Sequence, residues 1–147
     1  MPKILLMTRA AAAAYVPSAG DALIAIHDSF LLPLSVQPGW AEVLQLGFHN
    51  GPDTQVALPV FSGAQAKSAL LFADRNAQAG TLVVACPDAG ARSAAIAKYL
   101  VDKYGWPAYF AGKEVGLEDW LLYEPHIYRY LYLADRQLAN VSRFAKA

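Results

Sequence analysis

Three residues of this sequence have the side-chain types and the spacing of a reactive site: Cys86, Arg92 and Ser93. Cys86 is the only cysteine in the chain and directly follows an apolar run at 81–85, and the three residues form the pattern C-x5-R-S. A cysteine thiolate is a nucleophile, and the planar fork of an arginine can hold two oxygens of a phosphate. Ser93 could hydrogen-bond the sulfur or stabilise it as a leaving group.

The loop between Cys86 and the arginine has the composition of an anion-binding turn. Its residues are mostly small: Pro87, Asp88, Ala89, Gly90 and Ala91. They precede a predicted helix, so backbone N–H groups can converge there on an oxyanion, and the same field favours a thiolate. A nucleophile, a set of converging backbone N–H groups (an amide nest) and a guanidinium together predict a phosphoryl-transfer site. Residues 87–93 are the predicted phosphate-binding segment.

The elements that must position this segment predict an α/β fold. Residues 81–85 are typical of a central strand covered on both faces, and a helical pattern runs from about Ala91 to a stop at Gly105. Further strands are predicted at 3–7, 22–28, 42–48 and 108–110, and further helices after Ser62, at 116–123 and from Pro125. We therefore expect one domain over 1–147, with a central, mainly parallel sheet of four or five strands flanked by helices.

The composition excludes several classes of protein. The chain has 147 residues, of which 56% are hydrophobic and 16% charged, which excludes a disordered chain. Lys+Arg and Asp+Glu both number 12, which argues against general binding to nucleic acid or anionic membranes. A single cysteine cannot form an internal disulfide, and the N-terminal apolar run is too short for a signal peptide. The sequence predicts a cytoplasmic protein.

The C-x5-R-S segment resembles the signature of the cysteine-dependent protein tyrosine phosphatase superfamily. More narrowly, it is similar to that of the compact dual-specificity-like phosphatases of bacteria and phages, which commonly reads HC-x-A-G-x-x-R-S between a core strand and a long helix. Three flanking segments also resemble parts of this family: ALIAIHD its early strand, VLQLGFHNGPD its acid-loop strand, and YEPHIYRYLY a later segment. The resemblance extends from about residue 22 to residue 133.

The resemblance implies a function. A phosphatase of this type would hydrolyse phosphate monoesters, such as phosphotyrosine or a similar small phosphorylated group, through a phosphocysteine intermediate. Cys86 would attack, Arg92 and the loop amides would hold the phosphoryl oxygens, and Ser93 would assist the sulfur. The partner would be a phosphorylated protein or a small phosphate ester. No cofactor is expected, and the three histidines and one cysteine lack the spacing of metal ligands.

Three residues depart from the family pattern. Ala85 stands where the family has a histidine, Ala89 where it has a glycine, and Asn50 where it has an acid. These departures leave two alternatives open. One is a phosphatase-like module with little or no turnover that binds a phosphorylated partner, as Ala85 and Asn50 favour. The other is rhodanese-type sulfur transfer, which also uses a cysteine in a loop before a helix, although the C-x5-R-S signature and the flanking segments argue against it.

A general acid must protonate the leaving group as the thiolate attacks. Asp53 lies 33 residues before Cys86, close to the separation usual in the family, and is the predicted acid. His49 and Asp28 are the alternatives. His126 occupies a position where the family often has asparagine, and we expect it to make a structural contact near the site.

Overall fold

Strands and helices are interspersed along the chain, as the sequence predicts, and a short helix also forms at 9–14, where none was predicted. The computed structural model describes residues 2–28, 32–49, 60–78, 80–87, 90–116 and 123–145. The elements are β1 (Lys3–Thr8), α1 (Arg9–Ala14), β2 (Ala22–His27), β3 (Glu42–Gly47), α2 (Gly63–Arg75), β4 (Thr81–Cys86), α3 (Ala91–Tyr104), β5 (Ala108–Phe110), β6 (Lys113–Glu114) and α4 (Pro125–Ala145). Most of the helix predicted at 116–123 lies outside the described residues.

The strands form one mostly parallel sheet in the order β3-β2-β4-β1-β5-β6. The first five of these strands run parallel, and β6 pairs antiparallel with β5. The sheet therefore has six strands, and the prediction of four or five was wrong. The extra strand forms because Ala111 and Gly112 both adopt positive φ, at 52° and 81°, which is the backbone of a tight hairpin turn.

Local sequence signals account for where the helices begin and end. The side chain of Ser62 accepts a hydrogen bond from the backbone of Gln65, and Gln65 returns one to the backbone of Ser62, which confirms the predicted capping box at α2. Gly105 ends α3 in the left-handed conformation, with φ at 73°. Among the helices within the described ranges, none is both long enough and apolar enough to cross a bilayer.

The two faces of the sheet are covered differently, because alternate strand residues point in opposite directions. On the three-helix face, strand residues such as Ile24, Leu82 and Val84 pack with buried residues of α2, α3 and α4, and α4 contacts both of the other helices. On the one-helix face, a smaller cluster that includes Val83 packs against α1 and Leu34. The main core therefore lies on the three-helix face.

Residues 32–40, here named the covering segment, complete the one-helix face. The side-chain amide of Gln45 in β3 accepts a hydrogen bond from the backbone N–H of Leu34 at 3.1 Å and donates one to its carbonyl at 2.9 Å. Just beyond the segment, Ala41 donates its backbone N–H to the carbonyl of Asp21 at 2.8 Å. An irregular chain without a helix is thus held against the sheet by hydrogen bonds to its backbone.

Candidate functional site

Cys86 is the last residue of β4, the strand between β2 and β1. Its partner in register on β1 is Thr8, the last residue of that strand. The thiol is fully buried, and α3 begins at Ala91 after a short loop. The predicted order of a central strand followed by a helix is therefore present, and it places Cys86 at the carboxyl edge of a mainly parallel sheet, where α/β proteins bind ligands.

The sulfur of Cys86 lies in a small ring of polar groups at the start of α3. The backbone N–H of Gly90 points at Sγ, with 3.2 Å between nitrogen and sulfur. The thiol donates to Oγ of Ser93 at 3.1 Å, and this hydroxyl donates in turn to the carbonyl of Gly90 at 3.1 Å. If the thiol ionises, the Ser93 hydroxyl can rotate and donate to the sulfur, so the ring suits both forms of the cysteine.

The N-terminus of α3 has features of an anion-binding helix start. Its N-cap is Gly90, which has no side chain with which to cap the helix, and its first turn carries no acidic residue. The first N–H groups of a helix have no partner within the helix, and its dipole favours negative charge there. Of the predicted phosphate-binding residues, Asp88 and Ala89 lie outside the described residues, and Pro87 has no N–H to donate. The amide nest is therefore described only from Gly90 onward.

Arg92 reaches the same edge from the second position of α3. The residue is only 5% exposed, and its Nη1 donates to Oδ1 of Asp28 at 2.8 Å and to the carbonyl of Phe48 at 3.0 Å. Asp28 directly follows β2 and Phe48 directly follows β3. Residues far apart in the sequence thus meet because their strands end at one edge of the sheet.

The ion pair between Arg92 and Asp28 orients the guanidinium. A buried charge is costly unless it is paired and hydrogen-bonded, and both contacts use the same nitrogen. In the part of the chain that the structure describes, Nε and Nη2 have no hydrogen-bond acceptor. These two nitrogens form one side of the guanidinium fork, which is the side that binds two oxygens of a phosphate. Asp28, an alternative for the general acid, lies in the site as the partner of this arginine.

Of the other two candidates for the general acid, Asp53 and His49, the structure describes only His49. Asp53, the predicted acid, lies outside the described residues, as does Asn50. His49 is described: it follows β3 and forms an isolated parallel bridge with Val60. It therefore lies at the carboxyl edge of the sheet, the edge that also carries Cys86.

His126 lies at the start of α4, which docks on the start of α3. The backbone N–H of Glu124 donates to the carbonyl of Ala91 at 3.0 Å, and the N–H of His126 donates to the Glu124 carboxylate at 3.2 Å. The imidazole packs edge-on against Tyr130, with ring centres 4.7 Å apart. The beginning of α4 thus supports the helix that carries Arg92.

The site also contains a contact that the sequence did not predict, the carbonyl of Phe48. A backbone carbonyl has no sequence signature, and its position depends on which strands are neighbours. Within the described ranges, no group of three His, Cys, Asp or Glu side chains could hold a metal ion. Comparison of the chain with protein-family models, curated proteins and solved structures finds no match. Function must therefore be argued from the geometry of the site.

Proposed function

We propose that the protein hydrolyses phosphate monoesters through a covalent phosphocysteine on Cys86. One observation carries the proposal: the sulfur, the N-terminus of α3 and the buried guanidinium of Arg92 lie at a single edge of the sheet. A phosphate placed over the sulfur would meet backbone N–H groups on one side and the free nitrogens of Arg92 on another. This arrangement stabilises the charge that builds up on the phosphoryl oxygens during transfer.

The proposed reaction has two steps. In the first, the Cys86 thiolate attacks phosphorus, the bond from phosphorus to the ester oxygen breaks, and a general acid protonates the departing oxygen. In the second, water attacks the phosphocysteine, the acid's conjugate base takes the proton from that water, and the thiolate leaves. Ser93 lowers the barrier of the second step by donating its hydroxyl hydrogen to the sulfur as negative charge returns to it.

The substrate class follows from the resemblance of the signature. We expect phosphotyrosine or a similar small phosphorylated group, on a protein or in a small ester, and a cytoplasmic location that suits a free thiol. Dual-specificity-like phosphatases use a cysteine, a loop and an arginine in the same order as in residues 86–92 here. The narrower assignment to this family rests on the sequence motif and its flanking segments.

A second candidate is a module that binds a phosphorylated partner without turnover. Ala85 favours it, since this residue takes the place of the family histidine and its methyl group is buried on the one-helix face. No imidazole is therefore available at that position to orient the loop. Anion binding by α3 and Arg92 would survive such a change, whereas attack by the sulfur would slow.

Turnover separates the two candidates. The parent protein, Cys86→Ser and the control Ser68→Ala, which alters an exposed position on α2, are assayed with p-nitrophenyl phosphate and a phosphotyrosine peptide. We expect hydrolysis by the parent and the control, and none by Cys86→Ser, which should still bind the peptide in calorimetry. Binding by the parent without hydrolysis would establish the module instead. Equal turnover by Cys86→Ser would show that the thiol is not the nucleophile.

The general acid can be identified by comparing leaving groups. Loss of the acid should slow hydrolysis of phosphotyrosine by about 10²–10⁴-fold and should affect p-nitrophenyl phosphate far less, because p-nitrophenolate leaves without a proton. We expect this selective loss in Asp53→Asn. If Asp53→Asn slows both esters equally or neither, the same comparison in His49→Asn and Asp28→Asn shows whether one of these residues is the acid.

A further inference from the structure

Arg9 is a second arginine at the carboxyl edge that carries Cys86. It directly follows Thr8, whose partner in register is Cys86 itself, and it begins α1. Its Nη2 donates to the carbonyl of Leu32 at 2.7 Å. Leu32 belongs to the covering segment, which follows β2 in the chain.

The register of β1 and β4 places the backbone of Arg9 beside the site. Thr8 pairs in register with Cys86, and neighbouring strands are about 4.8 Å apart, so the backbone of Arg9 lies close to the end of β4. Its side chain extends to Leu32 in the covering segment. Because α1 covers the one-helix face, Arg9 approaches the edge from the face opposite to that of Arg92.

The guanidinium of Arg9 has unused hydrogen-bonding capacity. Its Nη1 is buried and has no hydrogen-bond partner, and among the described residues no carboxylate lies within ion-pair distance of Arg9. Arg92, in contrast, is neutralised by Asp28. A buried cationic N–H without an acceptor is unfavourable, and an oxyanion is the acceptor that best satisfies it.

We propose that Arg9 binds a second oxyanion of the substrate, next to the phosphate that Cys86 attacks. The preferred substrates then carry a further phosphate or carboxylate close to the scissile phosphate. Leu32 is 83% exposed, so a substrate oxygen can replace its carbonyl at Arg9 without displacing a packed side chain. This inference rests on the proposed phosphatase function and makes Arg9 a residue that determines specificity.

The test compares three peptides that share one phosphotyrosine. The residue beside the phosphotyrosine is serine in the first, phosphoserine in the second and glutamate in the third. For each protein, the ratio of kcat/KM between a doubly charged peptide and the serine peptide is measured, which cancels any general loss of activity. The phosphoserine and glutamate peptides distinguish a phosphate from a carboxylate as the second group.

We expect the parent to prefer a doubly charged peptide by about tenfold to a hundredfold, as for one charge-assisted pair. Arg9→Gln, which can still donate to Leu32, should bring the ratio close to one, and Arg9→Lys should give an intermediate ratio. The control is Arg136→Gln, since Arg136 lies on α4 and contacts Tyr132. It should leave the ratio unchanged.

The outcomes separate this inference from the proposed function. Hydrolysis of all three peptides without a preference, or with a preference that Arg9→Gln preserves, overturns the role of Arg9 and leaves the phosphatase function intact. Hydrolysis of none of them by the parent overturns the proposed function and, with it, the inference. A preference that disappears in Arg9→Gln and remains in Arg136→Gln supports both.

Discussion

The three-helix face and the one-helix face of the sheet contribute opposite sides of the candidate site. The three-helix face holds the larger cluster of buried residues, and α3 on this face carries Arg92 and Ser93. The one-helix face is covered by the short helix α1 and the covering segment, and it carries Arg9. Both faces reach the carboxyl edge at which β4 presents Cys86.

The difference in packing between the two faces indicates that they have different roles in the candidate site. The groups assigned to the chemical steps must be held in a fixed geometry, and they lie where packing is deepest and where Asp28 and Phe48 fix the arginine. A group that only recognises a neighbouring charge tolerates a looser support. Regions with few buried apolar contacts open more readily than a packed core, so the proposed function assigns adaptation to different substrates to the one-helix face.

Among the substitutions that compare the two faces, the largest effect is expected from Arg92→Lys, which tests the chemical role of the three-helix face. A lysine keeps the charge but cannot contact Asp28 and also hold two phosphate oxygens. We expect kcat/KM for p-nitrophenyl phosphate to fall by about 10²–10³-fold, the usual effect of losing a transition-state donor. The matched control is Arg75→Lys, because Arg75 forms an exposed ion pair with Glu42. Activity close to that of the parent would show that Arg92 does not hold the phosphate.

The stability of the two faces can be compared with one type of substitution. Leu82 is 2% exposed on the three-helix face, and Leu34 is 9% exposed at the edge of the one-helix face. Leu82→Ala should lower the free energy of unfolding by about 4 kcal/mol, because the surrounding core cannot collapse into the cavity, and Leu34→Ala by about 2 kcal/mol or less. Urea denaturation measures both. Equal losses would mean that the covering segment is packed as tightly as the helices.

The pH dependence of stability should reflect the tyrosines of the three-helix face. Burial, assisted by Asp102 at Tyr128 and by Asp74 at Tyr104, raises the pKa of each tyrosine to about 12. The folded state therefore keeps these protons longer than the unfolded state, in which the pKa is about 10. The resulting stability is complete below pH 10 and is lost as the pH rises towards 12.

Tyr128→Phe tests this alkaline loss. We expect the variant to be about 1 kcal/mol less stable at pH 8, because it lacks the hydrogen bond to Asp102, and to lose stability less steeply between pH 10 and 12. Urea midpoints measured across this range show the slope. Tyr132→Phe, at an exposed tyrosine, is the control for removal of a phenol. A slope equal to that of the parent would contradict the assignment to Tyr128.

The smallest effect is expected at the hairpin between β5 and β6. Ala111 has a φ of 52°, a conformation that alanine adopts at a cost and that asparagine tolerates better. Ala111→Asn should raise the free energy of unfolding by about 0.5–1 kcal/mol, and Ala111→Val should lower it, because a branched side chain is strained at positive φ. Thermal unfolding of the two variants gives the comparison. The same sign of change in both would mean that the backbone conformation does not govern stability here.

The sequence by itself determined most of the elements, although not α1, and the local order around the cysteine. Capping by Ser62 and Gln65, the stop at Gly105 and the apolar run at 81–85 placed helices and strands within about one residue of their observed ends. These signals act within one or two turns of chain, so they can be recognised in a single sequence. For the same reason Cys86, the loop and Arg92 were recognised as one unit. The two-residue strand β6 is too short to leave such a signal.

The tertiary structure alone decided which other residues contact the segment from Cys86 to Arg92. Arg92 contacts Asp28, which lies 64 residues earlier, and the carbonyl of Phe48, which lies 44 residues earlier. Both contacts depend on the order of the strands, and that order is set by how the apolar faces of the strands are buried together. The position of Arg9 beside the same edge has the same origin, because β1 pairs with β4 through backbone hydrogen bonds that any residue can form.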